Sequence, residues 1–233
     1  MPTDVRGVER ADDRRVISGI VHVLRSGCRW CDCPLEYGSA TTIYNRFVRW
    51  ARRGIWENLF RELAGNGRST DTQMIDSTHV KAHRSAAGAK GGEQKQAVGR
   101  SRGGRNTKIH ALADARGRLI AILLTGGEAH DCPVAERLIC RVRPPKRMLG
   151  DRAYDSAELR AELHERGSTP VIPNKSNRIK PFSFNKRLYR LRWRIESAFN
   201  RLKDFRRIAT RYDRLAQNYL ASVCLAAALV WWI

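Results

Sequence analysis

The stretch Tyr189-Arg190-Leu191-Arg192-Trp193-Arg194-Ile195-Glu196, running on to Lys203, constrains this chain more than any other. Tyr189, Arg192, Glu196 and Lys203 stand at offsets of three, seven and fourteen. At about 100° per residue these offsets fall within roughly 60° of one another on an α-helix. The spacing predicts one helical stripe with a carboxylate flanked by two cations and a phenol. Such a stripe could hold a metal ion through Glu196 and grip phosphates through Arg192 and Lys203. A merely solvated helix face has no need of that order. The two readings divide on whether other carboxylates are placed to meet Glu196.

Two are well placed. Asp76 ends Thr72-Gln73-Met74-Ile75-Asp76, and Asp151 follows Met148-Leu149-Gly150. Both apolar runs read as short strands with an acid at the end. Carboxylates on adjacent strand ends, joined by one from a helix packed across them, can converge on a pocket. Three close carboxylates repel one another and are tolerable when a divalent cation supplies the opposite charge. Oxygen-only ligands select hard ions such as Mg²⁺ or Mn²⁺ over zinc.

The segments Ile75-Asp76-Ser77-Thr78-His79-Val80-Lys81-Ala82-His83-Arg84 and Leu149-Gly150-Asp151-Arg152-Ala153-Tyr154-Asp155, with the Tyr-x2-Arg-x3-Glu-x6-Lys spacing, resemble the DDE transposases of bacterial insertion sequences. The resemblance is to the insertion-sequence family numbered five and covers nearly the whole chain. It implies an RNase H-like catalytic core, hence an α/β fold on a mixed sheet. It also implies that Asp76, Asp151 and Glu196 are the catalytic acids and the metal ligands. Tyr189, Arg192 and Lys203 match the family's signature around the glutamate and would contact DNA. The implied chemistry is two-metal phosphoryl transfer with two Mg²⁺ (or Mn²⁺) ions, which in such sites sit about 3.5–4 Å apart. The implied partners are double-stranded DNA, both the element's terminal inverted repeats and the target, and a second copy of the chain, giving a homodimer on DNA.

Charge points the same way. Among 233 residues, Lys+Arg 44 against Asp+Glu 23 leaves a net charge of +21. So large an excess favours a polyanionic partner, nucleic acid first. No basic amphipathic helix with a broad apolar face argues for a membrane surface. Residues 1–15 are polar and charged, unlike a signal peptide. The one strongly apolar run, Tyr219 to Ile233, is shorter than the roughly 18–20 residues of a membrane span. It reads as a buried core helix with Trp231 and Trp232 packed on the body. The expected location is the bacterial cytoplasm, in association with the nucleoid.

Two domains are expected: residues 1–66, helical and DNA-binding, and residues 67–233, the catalytic domain. Val16-Ile17, Ile20-Val21 and Val23-Leu24 recur at helical spacing up to Gly27. Ser39 could cap a second helix, with Ile43, Tyr44, Phe47, Val48 and Trp50 on one side and Arg46, Arg49, Arg52 and Arg53 on the other. Gly54 breaks it before a third helix carrying Trp56, Leu59, Phe60 and Leu63. Three short helices with a basic middle one resemble a helix-turn-helix module, which nominates Arg46 and Arg49 as DNA contacts. Solvated arginines would look the same. After a linker at Asn66–Thr70, a Gly-rich basic segment spans residues 85–106. It has no apolar periodicity, so no packed element is expected there. Arg100, Arg102 and Arg105 could reach phosphates or a minor groove from such a loop.

Lys108–Asp114 and Leu119–Leu124, joined at Ala115-Arg116-Gly117-Arg118, read as a hairpin. A helix from Cys132 to Arg141, a strand at Lys146–Gly150, a helix from Ser156 to Arg166 and a short strand at Pro170–Pro173 complete the predicted order β-β-β-α-β-α-β-α. Asp131 and Asp155 each precede a helix and read as its cap. His79 and His83, four apart on an extended segment, suit phosphate contact or surface polarity better than metal. Glu128 or His130 could approach the pocket from the hairpin's exit. Cys28, Cys31 and Cys33 could begin a zinc site, but no second Cys or His pair stands at a matching spacing. Ser77 and Cys132 have no evident base, which discounts covalent catalysis. No Gly-x4-Gly-Lys-Ser/Thr motif supports nucleotide hydrolysis. Relatives usually carry a further helical segment before the stretch that begins here near Arg6. That departure motivates the alternative of a shortened, non-catalytic DNA-binding protein or repressor. A host nuclease on the same core is a third reading.

Overall fold

The computed structural model describes residues 12–65 and 71–233. The polar stretch before Asp12 and the linker at Asn66–Thr70 lie outside the described residues.

The Asp12 side chain accepts from the Arg14 amide and opens helix α1 (Asp13–Ser26). Gly27, at φ 80°, closes it by donating to the Val23 carbonyl, a left-handed cap that costs glycine no Cβ clash. Helices α2 (Ala40–Arg52) and α3 (Ile55–Ala64) follow as the periodicity predicts. Ser39 holds the cap position of α2 without a capping hydrogen bond from its side chain. The apolar stripes of these helices share one core with the C-terminal elements and one face of the sheet.

The sheet contains β1 (Thr72–Ala82), β2 (Gly99–Ser101), β3 (Gly104–Asp114), β4 (Leu119–Gly126), β5 (Arg147–Leu149), β6 (Thr169–Val171) and β7 (Thr210–Arg211). Its main order is β4-β3-β1-β5-β6. The first three strands are antiparallel; β5 and β6 run parallel to β1. This is the mixed sheet of an RNase H-like core. The remaining helices are α4 (Gly92–Lys95), α5 (Asp131–Ile139), α6 (Ala157–Glu165), α7 (Lys186–Tyr189), α8 (Trp193–Lys203), α9 (Arg206–Ala209) and α10 (Ala216–Trp231).

Strand alternation divides the molecule into layers. Ile75, Leu112, Met148 and Ile172 pack with residues of α5 and α6. Their neighbours Met74, Ala111, Leu149 and Val171 face the opposite core with α8, α10 and the N-terminal helices. A sheet buried on both faces explains why these strands read as near-continuous apolar runs. Helix α10 is the buried core helix expected, and the Trp232 indole beyond it donates to the Leu119 carbonyl at 3.0 Å. Among the described residues no helix is long and apolar enough to cross a membrane.

Three expectations are corrected. The segment 85–106 is not without packed elements: it holds α4 and β2, and β2 pairs with the start of β3. Backbone pairing requires no side-chain periodicity. Ala97 and Val98 are buried, and the Ala97 carbonyl accepts from Thr107 and Arg211. Asp76 does not end its strand, because β3 supplies ladder partners for β1 as far as Lys81. Tyr189 to Lys203 is not one helix: a 3₁₀ turn at Arg190–Arg192 separates α7 from α8. No Gly or Pro marks that break. It coincides with the pull of Arg192 toward Asp76.

Candidate active site

Parallel register brings two of the acids level. Gln73 pairs with Met148 and Met74 with Leu149. Asp76 and Asp151 each lie two residues further on, where β1 continues and the segment after β5 turns away. Gly150 makes that turn possible at close quarters, since a Cβ there would stand 3.1 Å from Ile75 and 3.3 Å from Tyr154. Asp151 caps the 3₁₀ turn Arg152–Tyr154, its Oδ1 accepting from the Ala153 amide at 2.8 Å. Asp76 shares the pleat face of Met74, the face covered by α8. From the first turn of α8 comes Glu196, half exposed at 53%.

Arg192 bridges two of these groups. Its Nη1 donates to Asp76 Oδ2 at 2.8 Å and its Nη2 donates to Glu196 Oε1. Asp76 Oδ1 accepts from the Ser77 amide at 2.8 Å. Burial is the main influence on Asp76 and lifts its pKa from 3.8 to about 6. Arg192 and the Ser77 amide oppose that rise, and the Asp151 charge adds to it. Burial alone would lower Arg192, yet Asp76, Glu196, Tyr189 and Asp151 together raise it. Two carboxylates thus share one guanidinium, and burial keeps Asp76 hard to ionise.

Among the described residues no three His, Cys, Asp or Glu side chains form a ready-made metal cage. Arg192 stands between Asp76 and Glu196. The donor set nevertheless suits a hard divalent cation. All the donors are carboxylate oxygens, and a bound cation would favour the ionised form of the buried Asp76.

The other predicted residues are spread more widely. Lys203, at the end of α8, donates to Thr78 Oγ1 at 2.7 Å and to the His79 carbonyl at 3.3 Å, and its burial lowers its pKa. It pins α8 onto β1 two residues from Asp76. Tyr189 meets Phe184 edge to face at 5.8 Å between ring centres. Arg46 is half-buried, bonded to Asp13 and 5.4 Å from the Trp50 ring, whereas Arg49 is exposed on the same helix. Arg100, Arg102 and Arg105 are exposed on the β2–β3 hairpin. Because Asp76 pairs with Ala111, Arg105 lies six residues away along β3, ~20 Å at strand rise. The histidines His79 and His83 are exposed; His83 bonds Ser85 and packs on Tyr212.

Two acids read as helix caps do different work, which corrects both readings. Ser156, not Asp155, caps α6; Asp155 is buried and paired with Arg160 at 2.9 Å and Arg178 at 2.7 Å. It also accepts from the Lys175 amide, clamping the loop that leads to α7. Asp131 is the first residue of α5, and its Oδ1 accepts from Ser77 Oγ at 2.9 Å and Lys108 Nζ at 3.2 Å. The available signal was Lys108 itself, a charged residue amid the apolar run of β3, which requires a partner when buried.

Comparison with known proteins follows the same lines. Residues 67–231 match a family model described as the transposase DDE domain. Residues 1–60 match a second, described as "Putative transposase of IS4/5 family". The chain is 36% identical over 126 residues to a Brucella ovis protein named "Putative transposase for insertion sequence element IS6501". That match covers 54% of this chain and 97% of the relative. It is 31% identical over 137 residues to the like-named protein of element IS402 from Burkholderia cepacia, covering 54% of this chain and 63% of that one. Its fold is similar to that of the piggyBac transposase in a synaptic complex with hairpin DNA, with TM-score 0.56 at 12% identity, over 94% of this chain and 65% of that one.

Proposed function

The chain belongs to the DDE transposase family, and on that premise we propose that it cuts and rejoins DNA at the ends of an insertion sequence. The observation that carries this reading is Arg192 bridging Asp76 and Glu196, with Asp151 brought level with Asp76 by the parallel register of β1 and β5. These acids would hold two Mg²⁺ or Mn²⁺ ions, which when bound lower the pKa of an attacking water and stabilise the leaving 3′ oxygen. Arg192 would exchange Asp76 for a DNA phosphate as positive charge enters the site. The fork of a guanidinium suits both partners, so the exchange keeps its hydrogen bonds satisfied. Lys203 holds α8, and so Glu196, against β1 and would contact phosphates of the bound DNA strand. Tyr189 would stack or hydrogen-bond near the strand end.

Hydrolysis at the element's end frees a 3′-hydroxyl, and the same acids then position that hydroxyl for in-line attack on target DNA. Neither step requires a covalent enzyme intermediate or a nucleotide. Helices α1 to α3 form the DNA-binding part, with Arg49 exposed for phosphate contact and Arg46 bracing α2 on α1. The hairpin carrying Arg100, Arg102 and Arg105 reaches the duplex further from the cut. Two copies of the chain bring two inverted repeats together, working in the bacterial cytoplasm on the nucleoid.

Purified protein incubated with end-labelled inverted-repeat DNA and Mg²⁺ tests this reading. Cleavage should stop with EDTA. Alanine at Asp76, Asp151 or Glu196 should each reduce it by ~10³-fold or more, while a mobility-shift assay shows DNA affinity within a few-fold of wild type. Full cleavage by Asp151→Ala, or cleavage indifferent to EDTA, overturns it.

A further inference from the structure

We propose that Asp131, acting through Ser77, is a positioning residue for strand cleavage: it sets the orientation in which Asp76 is presented. This rests on the enzyme reading above and adds to it residues outside the three acids and the Tyr-Arg-Glu-Lys signature.

A chain of two hydrogen bonds leads from Asp131 to Asp76. Ser77 Oγ donates to Asp131 Oδ1 at 2.9 Å, and the Ser77 amide donates to Asp76 Oδ1 at 2.8 Å. The next residue reaches the second acid in the same manner. Cys132 Sγ donates to the Ala153 carbonyl at 3.1 Å, and the Ala153 amide donates to Asp151 Oδ1 at 2.8 Å. Two successive residues at the start of α5 therefore brace both acid-bearing segments. Helix α5 is seated by Val134, Ala135, Leu138 and Ile139 in the core beneath the sheet, so the brace has a fixed base.

Asp131 is itself held firmly. Lys108 Nζ donates to it at 3.2 Å and to the Ala129 carbonyl at 2.7 Å, and His110 Nδ1 lies 3.5 Å away. Two donors, Ser77 from β1 and Lys108 from β3, thus converge on one carboxylate oxygen, Oδ1. That geometry distinguishes Asp131 from a fourth metal ligand. Serving as counter-charge to the buried Lys108 would by itself account for the carboxylate. It does not account for the Ser77 hydroxyl, which balances no charge and lies in the link to Asp76. Groups that orient metal-binding side chains in this way typically change affinity or activity by about 10–100-fold when removed.

Removing Asp131 would strand Lys108 and endanger the fold, so Ser77→Ala is the decisive variant. It deletes the hydroxyl, leaves the Ser77 amide on Asp76, and leaves Lys108 on Asp131. Mn²⁺ binding to the protein–DNA complex, read by electron paramagnetic resonance, should weaken by ~10-fold or more, and kcat for end cleavage should fall similarly. DNA affinity and thermal midpoint should stay at wild-type values. Ser77→Thr restores the hydroxyl in a side chain suited to a strand and should recover both readouts. The proposal is overturned if Ser77→Ala matches wild type in Mn²⁺ affinity and kcat. It is equally overturned if Ser77→Ala and Ser77→Thr both lose thermal stability and DNA binding in step with activity. If Asp76→Ala itself leaves Mn²⁺ binding and cleavage intact, the enzyme reading fails and this proposal with it.

Discussion

Replacing Asp76 by asparagine should stabilise the metal-free protein at neutral pH. Burial raises the Asp76 pKa from 3.8 to about 6, with Arg192 and the Ser77 amide opposing and Asp151 reinforcing. A carboxyl whose folded-state pKa exceeds its unfolded value favours folding fully below the unfolded pKa. That contribution is lost as pH rises through the folded value. Here the window runs from about pH 4 to about pH 6. The two values differ by about two units, and each unit is worth 1.36 kcal/mol, so ionised Asp76 costs about 3 kcal/mol at pH 7.5.

Asparagine fits the same space without a charge to desolvate. Its carbonyl still accepts from the Ser77 amide, and Arg192 keeps Glu196. Asp76→Asn should therefore exceed wild type by up to about 3 kcal/mol at pH 7.5, with the gain fading toward zero near pH 4. Urea denaturation in EDTA across pH 4.5–7.5 measures it. His110, driven by burial down to about 4, makes both proteins lose stability as pH falls below the ordinary histidine range. That effect cancels in the difference. Equal or lower stability of the variant at pH 7.5 would refute the reasoning, as would an advantage indifferent to pH. A confirmed gain would show that Asp76 is held for function at the expense of stability.

Asp155→Ala should destabilise the fold by about 3–5 kcal/mol, because it leaves the buried Arg160 without its carboxylate. Chemical denaturation measures the loss, and a change below about 1 kcal/mol would show the cluster to be dispensable. DNA affinity should fall with salt at a log–log slope of about −0.9 per phosphate neutralised. Substituting exposed Arg49, Arg100 or Arg102 should each flatten that slope by about one. An unchanged slope in the triple variant would mean these arginines only face water.

Most of the longer strands were legible from local pattern, and the same pattern nominated the three acids. Period-two and continuous apolar runs locate β1, β3, β4 and β5, and an acid beside an apolar run stands out against it. Even so, Asp76 read as the end of a strand, because the ladder beyond it depends on β3, whose residues come some thirty positions later. The stripe from Tyr189 to Lys203 read as one helix because no breaker interrupts it; only the ion pair with Asp76, 116 residues away in sequence, accompanies the turn at Arg190–Arg192.

Asp131 and Asp155 are the sharpest cases. An acid just before a helix is a cap by every local rule. Both were claimed instead by partners from elsewhere: Ser77 and Lys108 for the first, Arg160 and Arg178 for the second. Residue types and their spacing along the chain determined which groups could carry the chemistry, because helix and strand periods act over a few residues. Tertiary structure decided which acid is buried, which cation answers it and which hydroxyl links them. Desolvation and ion pairing depend on distance in space, and residues far apart along the chain supply both.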